Sequence, residues 1–295
     1  MKNAKSRRNF IICIVILGAL LLGSIGLNVY YTFWGFDSYL QSTDQIYVME
    51  AGILRNHLMM APGEDFTFAY DFEHEDYPRL IEQYGIDKTA GAGTELERAL
   101  RLMDHYAPKL QHKSNYDNHV PVNALALLDY SIGSRQGINC RAKAQILNEM
   151  CLALGIHSRK VWIMPYSVYD GDCHVVNEVW DRSLGKWVML DITNNEYWID
   201  ENGLPLSVLE IRQKGALNEF CTPVSPNEPT DNVQKLKEKH MGSFVYIMKN
   251  MVYTKYCSAY TAGEVFPVVR LSSEALSVPE ERQISQWSCE RSPEE

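Results

Sequence analysis

Apolar residues are most concentrated at the beginning of the chain, where Phe10 to Leu27 form an uninterrupted run of apolar and small residues. Aromatic residues extend the run to Trp34, and residues 1–9 before it contain four cations and no acid. This run is long enough to cross a bilayer once, and its basic flank predicts a cytoplasmic N-terminus. A cleaved secretory signal is the alternative, but no small-X-small cleavage site closes the run. We therefore expect a cytoplasmic tail (1–9) and a single transmembrane signal anchor (10–34), with the remainder extracytoplasmic at the cell membrane.

Beyond the anchor, segments with helical spacing of apolar residues alternate with segments typical of strands. The spacing predicts helices over residues 37–60, 94–106, 121–130, 142–154, 207–219 and 234–240. Alternating or continuous apolar runs predict strands over residues 66–72, 174–180, 186–192, 244–256 and 265–271, with a Pro-rich loop at 222–229. Because no repeat or second core separates these elements, we expect one α+β domain over 35–271, followed by a polar, partly disordered C-terminal tail (272–295).

Cys140 lies where a turn-rich segment enters the helix predicted for 142–154. Asn139 is a favourable N-cap, which places Cys140 in the first helical turn. Unpaired backbone N–H groups and the helix dipole favour a thiolate at that position, and Arg141 and Lys143 favour it further. A buried structural cysteine is the alternative for such a residue taken alone.

His174 and Asp191 lie on two strands joined by a short turn at residues 181–185, which predicts a β-hairpin. Pairing about this turn makes the numbers of opposite residues sum to 365 or 367, so even-numbered His174 and odd-numbered Asp191 share one face. The carboxylate would then orient the imidazole and stabilise its protonated form. A solvated strand histidine and a strand-ending aspartate are the alternatives.

In their order these segments resemble the transglutaminase-like superfamily. The family core runs from a cysteine at a helix start through Gly-Ile-X-X-Arg to a histidine strand, and then to a strand closing in Trp-X-X-X-Asp-X-Thr. Over roughly residues 120–200 the chain has each block in that order, namely Cys140, Gly155 to Arg159, His174 to Val179, and Trp187 to Thr193. The resemblance implies a papain-like core, in which a nucleophile helix packs on an antiparallel sheet, with Cys140, His174 and Asp191 as catalytic residues.

Two positions depart from the usual family pattern. Ile138 stands where glycine is common two residues before the cysteine, and Val176 stands where an aromatic residue is common two after the histidine. Both departures lie beside the expected cleft, so the substrate class does not follow from the resemblance.

The resemblance favours a membrane-anchored thiol enzyme that acts on amide bonds through a Cys140 thioester. Peptide hydrolysis and acyl transfer to an amine both remain open, as does the side-chain donor for the oxyanion. The alternative is a catalytically inactive transglutaminase-like module for binding or assembly at the cell surface, and the three retained catalytic residue types argue against it. We also expect the Cys173 side chain on the strand face opposite His174, if the strand has already begun there.

The resemblance implies a protein or peptide substrate at the cell surface, and composition argues against nucleic acid. The whole chain has a net charge of -9 and four of its cations lie in residues 1–9, so the remainder carries -13. This acidity excludes nucleic acid as an expected partner. Six cysteines lie outside the anchor, and removing Cys140 leaves an odd number, which does not indicate a disulfide framework. We expect no metal and no cofactor, because the sequence has no Cys-X-X-Cys pair and no Gly-rich phosphate loop. The sequence has no Asn-X-Ser/Thr sequon, which favours a bacterial surface protein.

Overall fold

The computed structural model describes residues 2–32, 45–167, 169–230, 232–265, 268–276 and 281–295. The chain divides into two compact units, Met1–Val48 and Met49–Glu295. The first unit contains α1 (Lys2–Tyr30). Its stretch Arg7–Tyr30 has a mean hydropathy of 2.8 over its most apolar window and is long enough to span a membrane, which is consistent with a single-pass anchor. The predicted anchor end at 33–34 and the predicted helix start at 37–44 lie outside the described residues.

Helices form the first half of the second unit. They are α2 (Gln45–Asn56, which begins in the first unit), α3 (Tyr77–Tyr84), α4 (Ile86–Ala90), α5 (Glu95–Tyr106), α6 (Ala124–Leu128) and α7 (Cys140–Ala153). The expected capping box of α5 is present, because Thr94 Oγ1 accepts from the Glu97 N–H and Glu97 Oε2 accepts from the Thr94 N–H. The helix predicted from residue 121 begins later, at Ala124, because Asn123 caps it by accepting from the Ala126 N–H.

A mixed sheet of eight strands follows, with the order β10-β9-β7-β2-β3-β4-β5-β6. The strands are β2 (Ser158–Met164), β3 (His174–Asp181), β4 (Lys186–Asp191), β5 (Glu196–Ile199), β6 (Thr222–Val224), β7 (Tyr253–Cys257), β9 (Val268–Leu271) and β10 (Arg282–Gln283). Neighbours pair antiparallel except β9 and β10. A separate parallel pair joins β1 (Ala69–Tyr70) to β8 (Ala259–Tyr260).

Helix α7 packs on one face of the sheet, where its Ile146 and Leu147 join a buried cluster with Val179, Val188 and Leu190. The buried Asn177 Nδ2 donates to the Ala144 carbonyl at 2.9 Å and so ties β3 to the helix. The helices α8 (Val208–Leu217), α9 (Val233–Lys239), α10 (Met241–Lys249) and α11 (Gln286–Glu290) complete the unit. The predicted α+β class, with a nucleophile helix packed on a largely antiparallel sheet, is confirmed.

Three local predictions were wrong. Residues 244–256 form the end of α10 and then β7, and Phe244, Ile247 and Met248 are buried at the spacing of a helix rather than a strand. The predicted loop at 222–229 begins with the buried strand β6. The C-terminal segment was predicted as a polar, partly disordered tail. Residues 281–295 of that segment instead contain β10 and α11 and bury Ile284 and Cys289, which anchor it to the domain.

Candidate active site

Cys140 is the first residue of α7, as its N-cap predicted. Asn139 Oδ1 accepts from the Ala142 N–H at 3.0 Å, which fixes the start of the helix. The approach to the cysteine is held by backbone pairing, because the Ile138 N–H donates to the Gln111 carbonyl and the Lys113 N–H donates to the Ile138 carbonyl, both at 3.0 Å. The sulfur therefore stands at the positive end of a helix with a fixed entry.

The β3–β4 hairpin has the register that places His174 and Asp191 together. Opposite residues sum to 367, so Asp191 lies opposite Val176 and diagonal to His174 on the same face. His174 Nε2 lies 2.8 Å from Asp191 Oδ2, and both side chains are almost fully buried. The sequence prediction that these two residues share a face is confirmed.

Asp191 is held by further donors. Its Oδ1 accepts from the Thr193 N–H at 2.9 Å, and its Oδ2 accepts from Asn194 Nδ2 at 2.9 Å. A carboxylate that accepts several hydrogen bonds is fixed in orientation and stays ionised. The turn after β4 therefore makes Asp191 a rigid anion behind His174.

Cys140 interacts with His174, because each side chain shifts the pKa of the other, and this joins the third predicted residue to the pair. Because Nε2 of His174 already meets Asp191, its Nδ1 is the atom that faces the sulfur. The Val175 backbone N–H helps to lower the pKa of the Cys140 thiol. The structure thus brings Cys140, His174 and Asp191 together, with His174 hydrogen-bonded to Asp191.

The charges of this chain favour a thiolate and an imidazolium. Burial alone would raise the pKa of the Cys140 thiol, but the hydrogen bond and positive charge of His174 outweigh it and lower that pKa. Burial alone would lower the pKa of His174, yet the charge and hydrogen bond of Asp191, followed by those of Cys140, raise it to about 10. The pKa of Asp191 lies below its ordinary value despite burial, because the charge of His174 stabilises the carboxylate.

A cleft of about 770 Å³ opens over these residues. Its lining comprises His112, Ser114, Asn118, Asn139, Cys140, Arg141, Trp162, Gly171, Asp172, Cys173, His174, Val175, Thr193, Asn194, Ser243 and Tyr246. The part of the chain that the structure describes has no group of three or more His, Cys, Asp or Glu side chains arranged to hold a metal ion. The Cys140 sulfur and the His174 imidazole thus border a space large enough for a peptide segment.

Cys173 lies in the same cleft as Cys140. Strand β3 begins one residue later, at His174, so strand alternation does not turn the Cys173 side chain away from the cleft. Burial is the main cause that raises the pKa of the Cys173 thiol, in contrast to Cys140. All seven cysteines fall in described segments and are free.

Sequence reasoning missed two residues of the cleft wall, Tyr246 and Asp172. The ring of Tyr246 lies edge-on to the His174 imidazole, with centroids 5.4 Å apart at 72°. Its hydroxyl donates to Asp172 Oδ1 at 3.2 Å, and Lys249 Nζ donates to Asp172 Oδ2 at 2.8 Å. These contacts connect α10 to the loop that precedes β3. Helical spacing at 244–248 was the signal that could have indicated that Tyr246 lies on a helix.

Comparison with known proteins gives one family and one solved structure to report. Residues 82–192 match the model of the transglutaminase-like superfamily core, which is less than half of the chain but contains Cys140, His174 and Asp191. A crystal structure of a candidate cysteine protease from Cytophaga hutchinsonii is similar at 18% sequence identity, with 52% of each chain covered. The chain thus spans about half the length of that protein, and the TM-score of 0.33 is too low to support further comparison. No curated protein matches the chain.

The family match covers α7 and strands β2 to β4. The nucleophile helix and the two strands that carry His174 and Asp191 all fall inside the matched segment. Residues 82–192 of this chain form a transglutaminase-like core domain, the fold of a thiol enzyme.

Proposed function

We propose that this protein is a membrane-anchored thiol enzyme that acts on amide bonds of proteins or peptides, with Cys140 as nucleophile, His174 as base and acid, and Asp191 as the residue that orients the base. The observation that carries this proposal is the continuous contact from Cys140 through His174 to Asp191, with 2.8 Å between the imidazole and the carboxylate. A mere buried cysteine would have a raised pKa, as Cys151 and Cys221 do.

The reaction starts from the thiolate and imidazolium that the charges favour. Cys140 Sγ attacks the amide carbonyl carbon, and the carbonyl oxygen becomes an oxyanion beside the free backbone N–H groups of the first turn of α7. The C–N bond then breaks, and His174 gives its proton to the departing amine. The remaining acyl group is a thioester on Cys140.

The second half of the reaction returns the enzyme to its starting state. Water or a second amine loses a proton to His174 and attacks the thioester, which releases the acid or a new amide and regenerates the thiolate. Asp191 remains ionised throughout and stabilises the imidazolium. The cleft of about 770 Å³ has room for either nucleophile, so both hydrolysis and acyl transfer belong to the proposal.

His112 is the side chain that we assign as the second oxyanion donor. Backbone pairing of residues 111–113 with Ile138 brings it to the cleft wall. Burial and the nearby charge of Lys143 lower the pKa of His112, so it is a neutral hydrogen-bond donor at neutral pH. A neutral donor stabilises the oxyanion without competing with His174 for the catalytic proton.

A thiol-reactive probe tests the proposal, with Cys173 as a matched control in the same cleft. Cys140 should be alkylated by iodoacetamide well below the pH at which an ordinary cysteine ionises, and Cys173 only near or above that pH. Cys173→Ser should leave labelling of Cys140 unchanged, whereas His174→Ala should shift it to higher pH. Alkylation of Cys140 with the pH dependence of an ordinary thiol would favour the inactive binding module instead.

The membrane topology of the proposed enzyme is tested separately. We propose that α1 remains attached as an uncleaved anchor and that the catalytic unit lies on the extracytoplasmic side, because the cations precede the apolar run. Protease added to spheroplasts should digest the catalytic unit while a cytoplasmic marker stays intact. Protection of the whole chain would reverse the orientation, and a soluble mature form would indicate cleavage.

A further inference from the structure

Arg141 directly follows the nucleophile and contributes to the lining of the cleft. Its side chain is 31% exposed, so it is partly buried beside Cys140 and partly open to the cleft. An arginine has five N–H donors in a planar group that matches the two oxygens of a carboxylate. The partner of these donors therefore indicates which chemical group the substrate carries beside the scissile amide.

Within the described part of the chain, the Arg141 side chain makes no hydrogen bond. Its acidic neighbour is Glu264, and Arg141 Nε lies 3.6 Å from Glu264 Oε1, beyond hydrogen-bond distance. The same carboxylate oxygen lies 3.5 Å from Nζ of the buried Lys160. One carboxylate is thus shared between two cationic side chains, and the guanidinium keeps its donors for another partner.

Among its described residues, the opposite wall of the cleft has no free cation, because its Lys249 also pairs with Asp170 at 3.2 Å. Its carboxylate, Asp172, already accepts from Lys249 at 2.8 Å and from Tyr246 at 3.2 Å. His112 is neutral at neutral pH because burial lowers its pKa. The thiolate and the imidazolium of the catalytic pair have opposite charges, and the donors of the imidazolium are engaged by Asp191 and Cys140. Among the described lining residues, Arg141 is therefore the cation whose donors are not hydrogen-bonded.

We infer that Arg141 binds a carboxylate of the substrate, so that the enzyme selects amides flanked by an acidic residue or by a free C-terminal carboxylate. This inference rests on the proposed function, since it names the substrate class of the same site. Bidentate pairing of a guanidinium with a carboxylate is geometrically specific and stronger than a neutral hydrogen bond. The local cation selects an acidic substrate although the domain as a whole is acidic.

Two alkylating reagents test the site without any amide substrate. Iodoacetate and iodoacetamide each transfer a methylene carbon to the thiolate sulfur and release iodide, and they differ only in carrying a carboxylate or a neutral amide. Any change in the thiolate fraction affects both rates equally, so the ratio of the two rates at Cys140 measures attraction of an anion beside the sulfur. His174 is present in every variant and contributes equally.

The rate of Cys140 alkylation by iodoacetate, divided by the rate with iodoacetamide, should fall about fivefold in Arg141→Gln. One positive charge close to the sulfur is removed in this variant. Arg141→Lys should keep most of the ratio, and Arg135→Gln, an exposed arginine outside the cleft lining, should keep all of it. In the wild-type chain the ratio should also fall as salt is added, which provides a test if Arg141→Gln does not fold. An Arg141→Gln ratio equal to that of the wild type, or a wild-type ratio insensitive to salt, would overturn the inference.

Paired peptides then separate this inference from the proposed function. With peptides that differ only in Glu or Gln beside the scissile amide, the wild-type kcat/KM should be about tenfold higher for Glu, and Arg141→Gln should abolish that preference. Equal turnover of both peptides would reject the carboxylate site and leave the thiol enzyme standing. An Arg141-dependent alkylation ratio without turnover of any amide would support the anion site and reject the proposed function.

Discussion

Strand β3 carries two buried ion pairs on the same face, and the two differ in what else their atoms contact. Arg159 and Glu178 lie opposite each other in the β2–β3 register, with Arg159 Nη2 2.6 Å from Glu178 Oε2. The guanidinium lies 3.9 Å from the centre of the Trp187 ring and donates to the Cys289 carbonyl. The other Glu178 oxygen accepts from the Val208 N–H at the start of α8. The polar groups of this pair all serve to join segments of the scaffold.

The His174–Asp191 pair is equally buried, at 3% and 1% exposure against 1% for both Arg159 and Glu178. Here, however, one imidazole nitrogen is not committed to the carboxylate and faces Cys140 in the cleft. Burial and charge pairing therefore do not distinguish a catalytic site from a scaffold in this molecule. The distinguishing feature is a titratable atom that keeps one bond available for chemistry.

Removing the nucleophile should affect the activity that depends on the His174–Asp191 pair, and not the stability that depends on the Arg159–Glu178 pair. Cys140→Ala should lower kcat/KM for an amide substrate by about 10⁵-fold, because covalent catalysis is lost. The free energy of unfolding should change by less than about 1 kcal/mol, since the Arg159–Glu178 ion pair remains intact. Amide turnover and urea unfolding of the full-length chain in detergent give the two values. An active Cys140→Ala variant would disprove the covalent mechanism.

Breaking the Arg159–Glu178 pair should have the converse effect. Glu178→Gln leaves a buried guanidinium without its counter-ion and should destabilise the fold by about 3–5 kcal/mol. The double variant Arg159→Met, Glu178→Leu should lose much less stability, because both charges are removed together. Below the unfolding transition, kcat/KM should stay within a few-fold of the wild type. A selective loss of activity in a stable Glu178→Gln variant would show that the two pairs are functionally coupled.

The pH dependence of activity tests the role of Asp191. Asp191→Asn removes the charge that raises the pKa of His174, and a less stable imidazolium in turn raises the pKa of Cys140. Activity needs a pH above the Cys140 pKa and below the His174 pKa, so the active range should narrow from both sides. We expect kcat/KM at its optimum to fall roughly 10²-fold. Profiles of kcat/KM against pH test this, and a narrowing on the acidic side alone would contradict the proposed coupling of the two groups.

The parts of the site that the sequence predicted are local in the chain. The N-cap of Cys140 depends on one adjacent residue, and the shared face of His174 and Asp191 depends on a hairpin of 18 residues whose turn fixes the register. The partner of Arg159 was not predictable in the same way, because the β2–β3 connection at residues 165–173 is nine residues long and a connection of that length does not fix the register. Local hydrogen bonding and alternation were sufficient only where the connection is short.

The contact of Tyr246 with His174 could not be predicted, even from the helical spacing at 244–248, since it joins residues 72 positions apart. The apolar run at 244–256 is compatible with both strand and helix, and burial of Phe244, Ile247 and Met248 against the domain selects the helix. Packing of α10 then determines which side chain meets the imidazole. That is tertiary information, and no spacing within the run contains it.

The smallest effect we predict is at Tyr246, where two substitutions distinguish the role of the ring from that of the hydroxyl. Tyr246→Ala removes the aromatic cover of His174 and should lower kcat/KM by about fivefold, in keeping with the strength of an edge-on aromatic contact. The pH midpoint of Cys140 alkylation should shift as water gains access to the imidazole. Tyr246→Phe keeps the ring and loses only the hydrogen bond to Asp172, so it should restore the midpoint and most of the activity.

Tyr169, which is 96% exposed and outside the cleft lining, provides the control, and Tyr169→Ala should match the wild type in both measurements. If Tyr246→Ala changed KM but left the alkylation midpoint untouched, Tyr246 would contact the substrate rather than position the base. In that case the pKa of His174 would be set by Asp191 and Cys140 alone. Helix α10 would then contribute to substrate binding as a wall of the cleft.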